Sequence, residues 1–272
     1  MTNLATHSDP NLPAPTPGDS YVQSFARGLQ VIRSFSAQAP AQTLSEVAAR
    51  TGLTRAGARR ILLTLQTLGY VGSDGKHFRL TPRILDLGFA YLSSMPIWNL
   101  AEPVMETLAD EVRESCSAAV LDGSDIVYVL RVHTHKILSL NLGVGSRLPA
   151  YCTSMGRVLL AGLPDDEVER RLRASDLQPR TPRTLTTIPA LLQEIRQVRA
   201  QGWCVLDQEL EDGLISIAAP VFNPAGEAVA ALNVSGQAHR SNAQTMQQTM
   251  LPALRAAAST VSQLLRSSGH AV

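Results

Sequence analysis

Apolar and polar positions divide the chain into a polar leading tail, a helical region and a longer mixed region. From Tyr21 onward, Phe25, Leu29, Ile32 and Phe35 return at helical spacing and predict a first amphipathic helix. A break at Ala39-Pro40 follows. Thr43-Leu44-Ser45-Glu46 then has the form of a capping box, in which Thr43 and Glu46 satisfy each other's free backbone N–H groups. The short helix it opens turns Leu44, Val47 and Ala48 inward and ends at Gly52. Thr54 is a good N-cap for a second helix running to about Leu68. Its apolar stripe is Ala58, Ile61, Leu62, Leu65 and Leu68, with Leu63 on the outward side and Gly69 closing the helix. Tyr70-Val71 and Phe78-Arg79-Leu80 flank Ser73-Asp74-Gly75-Lys76, which reads as a β-hairpin with an Asp-Gly turn. Residues 82–94 predict a further helix, interrupted at Met95-Pro96.

Beyond Asn99, helical patterns over 103–113, 189–201 and 243–265 alternate with β-like runs over 118–121, 126–132, 138–142, 215–221 and 228–234. That mixture predicts an α+β fold with a largely antiparallel sheet flanked by helices. Residues 1–20, with Pro10, Pro13, Pro15 and Pro17 among polar neighbours, read as a flexible tail. The expected division is a domain of helices and a hairpin over 21–81, a linker helix over 82–98 and a second domain over 99–267.

Composition adds a core and removes several classes. Of the 272 residues 44% are hydrophobic and 17% charged, which fits a globular protein and not a disordered one. The formal net charge is +1, but charge is unevenly placed: Arg50, Arg55, Arg59 and Arg60 fall in an acid-free run, while Asp165, Asp166, Glu167 and Glu169 make a later segment acidic. Cys116, Cys152 and Cys204 follow no metal-ligand spacing, and their odd number suits a reducing compartment. With no signal-peptide pattern and no run of apolar residues able to span a bilayer, a cytoplasmic protein without a membrane partner is expected.

Two short helices joined by a turn containing Gly52 are the skeleton of a helix-turn-helix. Its second helix fits the major groove, and with the apolar stripe inward, Thr54 stands at its start and Arg55, Ala56, Arg59 and Arg60 lie on the other side. Guanidinium groups there pair with guanine edges or phosphates. Lys76, at the hairpin tip beside His77, would be the wing. The competing reading is an ordinary three-helix core with arginines on a solvated face. The adjoining hairpin and the acid-free run favour DNA.

The residues also carry a resemblance. Ala26-Arg27-Gly28-Leu29-Gln30-Val31-Ile32, Leu44-Ser45-Glu46-Val47-Ala48-Ala49-Arg50-Thr51-Gly52-Leu53 and Ala58-Arg59-Arg60-Ile61-Leu62-Leu63-Thr64-Leu65 resemble the IclR family of transcriptional regulators. Gly145-Ser146-Arg147-Leu148-Pro149-Ala150-Tyr151-Cys152-Thr153-Ser154-Met155-Gly156-Arg157 and Ile217-Ala218-Ala219-Pro220-Val221-Phe222 are similar to that family's effector domain. The likeness runs from about Ser24 to Arg266, and the stretch around Tyr151 points to the branch that controls aromatic-acid catabolism through the β-ketoadipate pathway. The resemblance implies a winged helix-turn-helix, a linker helix and a GAF-like effector domain, assembled as a homodimer or a dimer of dimers on double-stranded operator DNA. It implies an aromatic acid as effector, whether protocatechuate, 4-hydroxybenzoate or a phthalate-type acid, with RNA polymerase as a further candidate partner. It places the ligand pocket at Ser154, Met155, Leu214, Ser216, Asn233 and Ser235.

Other candidates come from the residues themselves. Thr153-Ser154-Met155-Gly156 opens a helical run, whose free N–H groups suit a carboxylate, although Thr153 or Ser154 is equally read as an N-cap alone. Leu140, Leu148 and Leu214 are candidate apolar walls. Arg131 and His133 alternate on or after one strand and are candidate cations, with a surface salt bridge as the other reading. Asp207, Glu209 and Asp212 either accept a phenolic hydroxyl or solvate a loop. An enzyme built on Cys152 or Ser154 is the alternative class. It lacks a Gly-x-Ser-x-Gly elbow, and no phosphate-binding glycine loop or histidine metal constellation supports a cofactor.

Overall fold

The computed structural model describes residues 18, 21–95, 97–133 and 142–268. The chain divides into two compact units, Met1–Phe89 and Ala90–Val272. In the first, α1 (Gln23–Arg33) is followed by β1 (Ala41–Thr43), α2 (Leu44–Thr51), α3 (Arg55–Thr67), β2 (Val71–Ser73) and β3 (His77–Leu80). The capping box forms, with Glu46 N–H donating to Thr43 Oγ1 at 3.4 Å and Thr43 N–H to Glu46 Oε2 at 2.7 Å. Gly52 ends α2 in the left-handed region at φ 65°, where a side chain would be strained. Val31, Val47, Ala48, Ala58, Leu62, Leu65 and Val71 close the core.

Several expectations fail in this unit for physical reasons. Of the first helix's stripe, only Ile32 and Phe35 pack on the core, while Phe25 is 69% and Leu29 38% exposed. Leu68 is 51% exposed, because α3 ends at Thr67 and Leu68 is its C-cap. Strand β1 was not expected. It pairs antiparallel with β3, giving the order β1-β3-β2. The helix expected over 82–94 forms as a 3-10 turn over Pro82–Ile84 leading into α4 (Leu85–Ser94), and it ends where the interruption was expected, but α5 (Ile97–Val112) begins within the 82–98 linker.

Among the described residues the second unit forms a six-stranded antiparallel sheet of order β6-β5-β4-β9-β8-β7, in keeping with an α+β fold. Its strands are β4 (Ser115–Asp122), β5 (Asp125–Val132), β6 (Arg147–Pro149), β7 (Cys204–Asp207), β8 (Leu214–Phe222) and β9 (Ala228–Gln237). Helices cover both faces. On one, α5 and the C-terminal run of α9 (Ala243–Thr245), a π-helical stretch Met246–Met250 and α10 (Leu251–Ser268) bury Ile215, Ile217, Ala219 and Val221 of β8. On the other lie α6 (Ser154–Ala161), α7 (Asp165–Ala174) and α8 (Ile188–Gln201), against Ala218, Ala231 and Leu206. The period-2 alternation of β8 thus serves two cores. Helix α5 starts six residues before Pro103, since burial of Ile97, Trp98 and Ala101 holds the turn that proline alone would end. The expected strand over 138–142 lies almost wholly outside the described residues.

Candidate functional site

Two places gather the candidate residues. In the first unit Thr54 caps α3, its Oγ1 accepting from Gly57 N–H at 3.1 Å. Arg55, Arg59 and Arg60 are exposed along that helix, and among the described residues none of them, nor Lys76, forms a salt bridge. Helix α2, the Gly52 turn and α3 are the expected helix-turn-helix, and the β2–β3 hairpin is the expected wing. The hairpin tip is fixed by Asp74, whose Oδ1 accepts from Lys76 N–H at 3.0 Å and His77 N–H at 2.7 Å. Those bonds hold its carboxyl down at about 2.

In the second unit a cavity lies where the sheet face under α6 changes from apolar to polar. Along β9 that face reads Ala231, Asn233, Ser235, and along β8 it reads Ala218, Ser216. Pairing sets Ser216 between Ser235 and Leu206, and Arg131 beside Ser117, which in turn faces Asn233. The lining holds Arg131, Thr153, Ser154, Met155, Leu214, Ser216, Asn233 and Ser235 of the expected residues. Glu209, one of the three candidate acceptors of a phenolic hydroxyl, also lines it, and Tyr128, Leu142, Cys152, Leu206 and Leu210, not assigned to it from sequence, complete it. Leu206 sits on a four-residue strand too short to show alternation, although its register opposite Ser216 fixes its face.

Two described residues expected there do not join them. His133 is exposed beyond the end of β5, where alternation stops, and accepts from Arg131 Nε at 3.4 Å. Leu148 pairs with Ile126 through β6 and packs into the core below α6. Leu140 lies outside the described residues.

The polar chemistry of the cavity is ordered. Thr153 is the N-cap of α6, its Oγ1 accepting from Gly156 N–H at 3.2 Å. The capping reading therefore holds for Thr153, and Ser154 Oγ instead bonds Ser216 Oγ at 2.9 Å. Gly156 is required at its place: a Cβ there would lie 2.2 Å from the Ala150 carbonyl oxygen. Arg157, 1% exposed, donates Nε to the Tyr151 carbonyl at 2.9 Å and both Nη groups to Glu209 at 2.9 and 2.5 Å. Glu209 Oε2 also accepts from Leu185 N–H at 3.2 Å, so this carboxylate in the lining is already committed. Asp207 pairs with Arg183. Burial draws the Arg131 guanidinium below its usual range, and Asn233 Nδ2 donates to Ser235 Oγ at 2.9 Å.

Among the described residues that line the cavity, no nucleophile is ready to react. Burial pushes the Cys152 thiol up to about 11, so it stays protonated, and no histidine is among the lining residues. Among the described residues no cluster suits a metal, and no helix is long and apolar enough to cross a membrane.

Residues 24–75 match the family model of the IclR helix-turn-helix domain, and residues 89–263 match that of the bacterial transcriptional regulator IclR C-terminal domain. The chain belongs to the IclR family. It is a helix-turn-helix transcriptional regulator that binds DNA and a small-molecule effector, and it is not an enzyme. Among curated relatives, it is 46% identical to the Pca regulon regulatory protein of Pseudomonas putida, over 87% of this chain and 82% of that protein. It is 33% identical to the p-hydroxybenzoate hydroxylase transcriptional activator of Acinetobacter baylyi, over 91% and 93%. The crystal structure of an IclR homologue from Microbacterium hydrocarbonoxydans, complexed with 4-hydroxybenzoate, aligns with a TM-score of 0.77 at 26% identity, over 90% of this chain and 99% of that one.

Proposed function

We propose that this IclR regulator controls genes of aromatic-acid catabolism and that its effector is an aromatic carboxylate held in the cavity under α6. The cavity carries the reading: a partly buried cation, Arg131, and the first turn of α6 share a lining with apolar Tyr128, Leu206, Leu210 and Leu214. A benzoate-like molecule needs that combination, with apolar walls for the ring and a cation or helix N-terminus for the acid. The names of the two relatives and the ligand of the homologue point the same way. The operator is double-stranded DNA, read by Thr54, Arg55, Arg59 and Arg60 with Lys76 at the wing. Two such units, related by a twofold axis, would read a palindrome-like site. Phe25 and Leu29 on α1 and Leu85 and Phe89 on α4 are exposed apolar surface suited to a homodimer, itself able to pair into a dimer of dimers. A cytoplasmic location and contact with RNA polymerase complete the reading.

Calorimetric titration of the full chain with protocatechuate, 4-hydroxybenzoate, terephthalate, β-ketoadipate and 4-hydroxybenzamide tests it. At least one aromatic acid should bind, and 4-hydroxybenzamide more weakly than 4-hydroxybenzoate. In Ser154→Ala, loss of a hydrogen bond to a charged group should weaken the acid by about 1.5–3 kcal/mol and narrow the gap to the amide. An unchanged gap in Ser154→Ala moves the carboxylate to Arg131. No binding by any aromatic acid overturns the proposal.

A further inference from the structure

A buried carbonyl in the cavity wall has nothing to accept. Asn233 is 4% exposed, and its Oδ1 has no hydrogen-bond partner among the described residues, while its Nδ2 is taken by Ser235. A buried acceptor left bare carries a desolvation penalty that a ligand donor would relieve. Its surroundings narrow what that donor is. Arg131, Ser117 and Asn233 form one cross-strand row over β5, β4 and β9. The backbones of Arg131 and Asn233 thus stand two strand spacings apart, about 10 Å. A carboxylate drawn to Arg131 or to the start of α6 gains nothing from Oδ1, whose lone pairs repel it. Glu209, the carboxylate in the lining, is held by Arg157 and Leu185. On an aromatic acid, the donor that remains is a ring hydroxyl.

We propose that Asn233 Oδ1 accepts a hydrogen bond from a ring hydroxyl of the effector, so that the cavity selects hydroxylated aromatic acids over acids lacking that group. This rests on the reading of the cavity as an aromatic-acid site. A site built to bond a hydroxyl discriminates strongly, because the analogue without it leaves the buried acceptor bare again.

The test compares benzoate, 3-hydroxybenzoate, 4-hydroxybenzoate and protocatechuate by calorimetry on the full chain and on Asn233→Leu, which removes the amide and keeps the branched outline of the side chain. Wild type should bind at least one hydroxylated acid about tenfold or more tighter than benzoate. Asn233→Leu should collapse that ratio toward one and leave the benzoate Kd within about threefold of wild type. Asn233→Ala serves if the leucine variant fails to fold, and the wild-type ratio decides on its own if both fail. Equal wild-type affinities for benzoate and all three hydroxylated acids overturn the hydroxyl contact and leave the aromatic-acid reading standing. An equal loss for all four acids in Asn233→Leu also overturns it, since the amide would then present its NH2 to the carboxylate. Failure of all four to bind wild type overturns both readings together.

Discussion

The two units hold their polar side chains in opposite ways. On α3, Arg55, Arg59 and Arg60 stand exposed, outside any salt bridge among the described residues. Around the cavity, Ser154, Arg157 and Asn233 are 1%, 1% and 4% exposed, and nearly every polar atom is bonded. Water keeps an exposed guanidinium satisfied until a phosphate or base replaces it, so a binding face of this kind is nearly free of folding cost. A buried polar group has no such reserve and needs a protein or ligand partner. Recognition and stability are therefore separable on α3 and entangled in the cavity.

The sharpest way to test that contrast is to remove the buried cation that holds the cavity's Glu209. Arg157→Ala leaves the Glu209 carboxylate, itself 12% exposed, without its two guanidinium bonds. Breaking one partner of a buried pair costs about 3–5 kcal/mol. Urea unfolding followed by circular dichroism should show a clearly lower midpoint, and adding Glu209→Gln should restore part of the loss by removing the stranded charge. A wild-type midpoint in Arg157→Ala would show that water reaches Glu209 and that the contrast is false.

The same contrast explains what was legible in the sequence. Helices α2 and α3 were readable because their signals are local: a capping box four residues long, a glycine at the turn, an apolar stripe within one helix. Strand β1 carries no such signal, since three residues show no alternation and exist as a strand only through pairing with β3. In the second unit the long strands β4, β5, β8 and β9 showed in their apolar runs, but β6 and β7 did not. Of the cavity, the polar positions on β8 and β9 came through resemblance. Tyr128, Leu206 and Leu210 reach it through register and through the loop after β7, which no spacing along the chain encodes. The misplacement of His133 has the same origin: alternation predicts a face only while the strand lasts, and β5 ends at Val132.

On the exposed side, Arg59→Ala should leave the unfolding midpoint unchanged and weaken operator binding by about 1–3 kcal/mol if the guanidinium reads a base. A phosphate contact instead would lower affinity for all sequences alike and flatten the salt dependence by about one counterion. Fluorescence anisotropy at two salt concentrations, with operator and scrambled duplexes, separates the two. Wild-type affinity in Arg55→Ala, Arg59→Ala and Arg60→Ala alike would remove α3 from the interface.

The finest test sets one chemical group against itself in the two settings. Thr54 and Thr153 each cap a helix through Oγ1, accepting from Gly57 N–H at 3.1 Å and Gly156 N–H at 3.2 Å. Thr54 is exposed, so in Thr54→Ala water takes over the freed N–H, and the loss should be about 1 kcal/mol, the usual value of an N-cap. Thr153 is 6% exposed and its hydroxyl also donates to the Pro149 carbonyl at 3.0 Å. Thr153→Ala thus strands a donor and an acceptor where water is scarce, and the loss should exceed that of Thr54→Ala by about 1 kcal/mol. Serine at either position keeps the hydroxyl and should recover most of each loss. Urea midpoints of the four variants supply the comparison. Equal losses at the two caps would mean that the rim of the cavity is as well hydrated as the surface of α3, and the division between an exposed reading face and a dry, self-satisfied site would fall with it.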